Sequence, residues 1–137
     1  MATRCMICFE DGNERVNVYQ HFDGYPSYVL PVLARVVRAF QERVGWDPEY
    51  MAARSMLALM KEADENLDSW APENGDLLGF GICASMRGDL RYIYRVSRNE
   101  SGIFMLHVYH RGSRLTDNDE AVALAQGEIP ERFRSQR

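Results

Sequence analysis

At 137 residues, 46% apolar and 26% charged, the chain has the length of one domain and the composition of a folded one, which excludes a wholly disordered protein. Its net charge of −4 argues against attraction to nucleic acid or to an anionic membrane, and no apolar run approaches a membrane span. Residues Met1-Ala2-Thr3-Arg4 lack the apolar core of a secretory signal and the three cysteines are an odd number, so a cytoplasmic protein with reduced thiols is expected.

The first elements read as a β-hairpin. Met6 to Phe9 is a short apolar run, and Glu10 to Glu14 supplies turn chemistry around Asp11-Gly12. Arg15 to Phe22 then alternates, with Val16, Val18, Gln20 and Phe22 on one side and Arg15, Asn17, Tyr19 and His21 on the other. Asp23 to Ser27 breaks the strand, and Pro26 biases Tyr25 away from helical geometry. Beyond it Val29, Leu33, Val36, Val37, Phe40 and Val44 recur at helical spacing, with Gly45 as the stop and Pro31 tolerable only in the first turn.

A second helix follows, with Asp47 as cap, Pro48 in first position and a stripe of Ala53, Met56, Leu57, Met60, Ala63 and Leu67. The short link predicts an antiparallel helical hairpin. After an acidic loop, Leu77 to Ala84 reads as a strand weakened by Gly79 and Gly81. Arg91 to Ser97 and Ile103 to His110 flank a turn and form a second hairpin. Thr116 and Asp119 resemble a capping box for a short helix, Asp117 to Gln126, stopped by Gly127. Residues 129–137 read as a flexible tail after a single domain of residues 1–128. The expected fold class is α+β: an antiparallel sheet of four to five strands, a helical hairpin packed on one face and a short C-terminal helix.

The combination of Met1-Ala2-Thr3-Arg4 with Tyr19-Gln20-His21-Phe22-Asp23-Gly24-Tyr25-Pro26 resembles a family of small phage, prophage and mobile-element proteins. Their pattern runs Met-Ser/Ala-Thr-Arg and then Tyr-x-His-Trp/Phe-Asp-Gly-Tyr-Pro. The likeness covers about the first 30 residues. It departs at Ser27-Tyr28, where relatives often carry Glu-Gly, and at Gln20, where many carry Cys. The resemblance implies a mobile-element origin, hence a bacterial host cell, and no particular activity.

Among candidate sites, His21, Asp23 and Tyr25 stand where a strand ends and a helix begins, a place suited to ligand binding or acid–base work. The bland alternative is that Asp23 and Gly24 make the turn while His21 and Tyr25 pack. His107 would strengthen a site if it faced His21; paired with His110 on one strand it points the other way. Cys5 and Cys8 have half a zinc-site spacing, but Cys83 is the only further thiol, so no metal and no cofactor are expected. Arg91 and Arg95 share a strand face and could take phosphate, while Tyr92 and Tyr94 fall on the other face. Glu62, Asp64, Glu65, Asp68 and Trp70, in an acidic stretch, could engage a basic groove on a partner.

The leading expectation is a non-catalytic binding module that engages a host protein, for example as an inhibitor of a bacterial defence system such as CRISPR-Cas. The alternatives are a nucleotide or small-ligand binder and a metal-assisted hydrolase, both built on His21, Asp23 and Tyr25.

Overall fold

The computed structural model describes residues 2–42, 46–63 and 79–135. Strands β1 (Cys5–Asp11) and β2 (Glu14–Gln20) form the first hairpin, paired from Cys5 opposite Gln20 to Asp11 opposite Glu14. The loop is Gly12-Asn13, and the positive φ of Gly12 (61°) suits the mirror-image turns that follow strand twist. Helices α1 (Pro26–Gln41) and α2 (Pro48–Ala63) come next, then β3 (Phe80–Cys83), β4 (Tyr92–Arg98), β5 (Phe104–His110) and the two-residue β6 (Ser113–Arg114). Helices α3 (Asn118–Ala125) and α4 (Glu131–Arg134) close the described chain. No helix among the described residues is long and apolar enough to cross a membrane.

The class is α+β, as the element order indicates, but the sheet differs from the expected one. Among the described residues it has six strands in the order β3-β2-β1-β4-β5-β6, and it is mixed, because β4 lies parallel to β1 with Cys5 opposite Tyr92 and Phe9 opposite Val96. Each hairpin is legible from its own turn. Which edge of one hairpin meets the other is decided by packing between residues far apart in sequence.

Alternation sorts the sheet into two faces. Cys5, Ile7, Phe9, Val18, Tyr94, Val96, Leu106 and Val108 join the buried cluster with residues of α1, α2, α3 and α4. In α1 the buried residues are Pro26, Val29, Leu30, Val32, Leu33, Ala34 and Val37. Pro31 is the sixth residue of α1, beyond the first turn, and it is exposed.

Three local expectations are corrected. In α2 the buried side is Met51, Ala52, Ser55 and Leu59, whereas Ala53, Leu57 and Ala63 are exposed. Two apolar stripes exist on this helix, and Leu57 borders a groove against α1 instead of the core. The capping box of α3 is Asp117 and Glu120; Thr116 is buried and its Oγ1 accepts the Val108 N–H at 3.0 Å. Residues 129–135 are tied down, since Phe133 of α4 is 1% exposed and belongs to the core. Val44, Gly45 and Leu67 lie outside the described residues.

Candidate functional site

The octapeptide forms a tightly tied corner. The Gln20 side chain, 1% exposed, donates from Nε2 to the carbonyls of Phe22 (2.7 Å) and Asp23 (3.3 Å). The His21 N–H donates to the Gly79 carbonyl at 2.7 Å, and the Gly24 N–H to the Thr3 carbonyl at 2.9 Å. A Cβ on Gly24 would lie 2.7 Å from both Cys5 Cβ and the Thr3 oxygen, so only glycine fits. Asp23 adopts a left-handed φ of 57°, which an aspartate tolerates in a turn.

His21, Asp23 and Tyr25 are neighbours in sequence, but their side chains do not come together: those of His21 and Tyr25 pack against other rings and that of Asp23 faces solvent. Nδ1 of His21 shares a 2.7 Å hydrogen bond with the Tyr19 phenol, and its ring packs edge-on to Phe22. Asp23 is exposed, and Tyr25, the residue before α1, packs edge-on to Tyr28. His107 is on β5, separated from β2 by β1 and β4. Three strand spacings of about 4.8 Å put it roughly 14 Å across the sheet from β2. Among the described residues no group of three His, Cys, Asp or Glu is arranged to hold a metal ion. Cys5 points into the core and Cys8 to the other face; burial pushes both thiols up in pKa.

The face away from the helices concentrates charge. The register places Tyr19, Met6, Ile93 and Tyr109 in one row, and Asn17, Cys8, Arg95 and His107 in the next. Glu10 and Arg15 stand opposite each other beyond them. One carboxylate serves two guanidiniums: Glu10 Oε2 accepts from Arg95 Nη2 at 2.6 Å, and Oε1 lies 3.4 Å from Arg15 Nε. Arg15 also donates to Asn17 Oδ1 (3.0 Å) and to Cys8 Sγ (3.4 Å).

Residues 84–91 connect the edge strand β3 to β4 past β2 and β1, and the contacts of Arg87 with Tyr19 and of Met86 with the cavity beside Ile93 and Tyr109 put this connection on the same face. Arg87 stacks over the Tyr19 ring at 4.9 Å and donates to Cys83 Sγ at 3.1 Å. Met86, 41% exposed, borders a cavity of about 310 Å³ with Glu10, Arg15, Ile93, Arg95 and Tyr109. Beneath this cover Met6 and Cys8 are fully buried.

At the far side Arg114 Nη2 donates to His107 Nδ1 (2.8 Å) and to Asn118 Oδ1 (2.8 Å). Burial first, then the nearby Arg114 and Arg95, hold the His107 pKa below its ordinary value. The Arg114 bond uses the Nδ1 lone pair, which favours the neutral imidazole. The contact with Glu10 holds the Arg95 guanidinium more firmly charged.

Arg95 therefore lies in the most charged part of this face, while Arg91 precedes β4 and lines a separate cleft at the strand ends. Tyr94 is fully buried on the helix side and the Tyr92 ring stacks on His110. Glu62 pairs with Arg35 at 2.7 Å between α2 and α1. Asp64, Glu65, Asp68 and Trp70 lie outside the described residues. Sequence reasoning passed over Glu10, Arg15, Met86 and Tyr109; summing the outward residues of every strand, instead of taking each strand alone, would have collected Arg15 and Tyr109 with Arg95. Comparisons with protein-family models, curated proteins and solved structures find no match to this chain.

Proposed function

We propose that the chain is a non-catalytic binding module of a mobile element that engages a host protein through the face of its sheet opposite α1 to α4. The observation that carries this reading is the chemistry of that face. Arg15, Arg87, Arg95 and Arg114 surround Tyr19, Tyr109, Ile93 and Met86, with Glu10 as the counter-charge. Tyr, Met and Arg are the residues enriched in protein interfaces, and Lys, depleted there, is absent from this set. The face is basic on a chain of net charge −4, so the matching surface on the partner is acidic.

The test compares capture from host lysate by the wild-type chain, by Arg95→Glu with Tyr109→Ala, and by the helix-side control Arg35→Ala. A stoichiometric acidic partner recovered by wild type and control, and bound about 30-fold or more weakly by the sheet-face variant, fits a central hot spot. Recovery of no stoichiometric partner, or equal binding by all three, overturns the reading.

A further inference from the structure

The cleft at the leading ends of β1 and β4 brings three arginines together by register. Cys5 pairs with Tyr92 and Tyr92 with His110, so the residues just outside those pairs, Arg4, Arg91 and Arg111, become neighbours on three adjacent strands. Backbone bonds lock them: the Arg91 N–H donates to the Arg4 carbonyl at 2.9 Å, and the Arg111 N–H to the Arg91 carbonyl at 3.1 Å. The cleft holds about 530 Å³, within the range of small-ligand sites, and is lined by Ala2, Arg4, Asp89, Leu90, Arg91 and Arg111.

The charge in this cleft is poorly answered. Asp89 reaches Arg4 only at 3.9 Å and is 89% exposed. Among the described residues the side chains of Arg91 and Arg111 have no ion-pair or hydrogen-bond partner. Like charges side by side on neighbouring strands are destabilising. Asp89 (φ 60°) and Arg111 (φ 50°) border this cleft, Arg111 forming with Gly112 (φ 85°) the two-residue loop between β5 and β6. The hairpin turn fixes Arg111 beside Arg91, and the unanswered charge of the three guanidiniums is what an anion neutralises.

We propose that this cleft binds a phosphomonoester dianion, such as the terminal phosphate of a mononucleotide. Three guanidiniums and one carboxylate leave two positive charges, which a dianion neutralises, and forked donors suit tetrahedral oxygens. Leu90 provides an apolar wall beside it. The proposal is independent of the sheet-face reading and uses other residues.

Calorimetric titration of the full chain at pH 8, where a phosphomonoester is dianionic, tests it with inorganic phosphate, a 5′-mononucleotide and the matching nucleoside. Binding of both phosphate probes, and none by the nucleoside, is expected. Arg91→Ala and Arg111→Gly, the latter suited to the left-handed backbone, are expected to weaken phosphate binding about tenfold or more. Asp89→Asn keeps a residue tolerant of that φ and removes the opposing charge, so binding tightens. Circular dichroism confirms that each variant is folded. No phosphate binding by the wild type, equal binding of nucleoside and nucleotide, or affinity unchanged in both arginine variants overturns the proposal.

Discussion

The phenol of Tyr94 on β4 donates a 2.7 Å hydrogen bond to the backbone carbonyl of Gly24, 70 positions earlier and just before α1. That bond pins the entry to the first helix against the middle of the sheet. It also gives the Asp-Gly-Tyr-Pro portion of the octapeptide a structural role.

Gly24→Ala drives a methyl into Cys5 and the Thr3 carbonyl, and the expected loss is about 3 kcal/mol, at the upper end for overpacking. Tyr94→Phe leaves a buried carbonyl without its donor and should cost about 1–3 kcal/mol. Urea titrations with an unchanged m-value should show lowered midpoints for both.

Ser55 is fully buried in α2, and its Oγ finds no hydrogen-bond partner among the described residues. Ser55→Ala removes an unanswered hydroxyl and introduces the best helix former. A gain of about 0.5–1.5 kcal/mol is expected, read as a rise of several degrees in Tm.

Burial raises the thiols of Cys5 and Cys8 above their unfolded values. Above about pH 8.5 the unfolded chain releases those protons first, so stability falls as pH rises, by up to about 1.4 kcal/mol per pH unit for each thiol. His107 shifts the other way, and the unfolded imidazole takes its proton first as pH drops through about 6.5. Stability measured against pH should plateau between these limits, and Cys5→Val should flatten the alkaline slope. The half-exposed Cys83 should react with a thiol reagent in the native protein well before Cys5 and Cys8 do.

Glu10 lies between two partly exposed arginines. Glu10→Gln is expected to cost only about 0.5–1 kcal/mol, because solvent screens such pairs. The deficit should shrink between low salt and 0.5 M NaCl, a condition that shortens the Debye length. A deficit insensitive to salt would mean that packing, not charge, is what the substitution disturbs.

Local chemistry was readable in advance. Gly12 marked the first turn, Gly127 the end of α3, and the alternation from Arg15 to His21 put Arg15, Asn17, Tyr19 and His21 on one side of the sheet. Non-local geometry was not. Nothing in the strand at Tyr92 to Arg98 announces that it will run parallel to Cys5–Asp11, and α2 carries two apolar stripes of which only the one through Met51 and Leu59 faces the core. Phe133 looks like part of a polar tail until the core it enters is assembled. For the sites, residue types were informative and directions were not: His21 and Asp23 look like chemistry side by side, yet the backbone turns them into a corner. Arg91 and Arg95, read as one pair, belong to two different surfaces.

The parallel contact between β1 and β4 also shapes how the molecule must assemble. Each hairpin closes a short loop and can zip within microseconds. Ile7 and Tyr94, by contrast, become partners only after both long helices have been accommodated between them. The entropy of closing that long loop is lost before the contact is gained, so the union of two preformed hairpins is the slow event. Until it happens, one edge of each hairpin stays open to pairing with another chain.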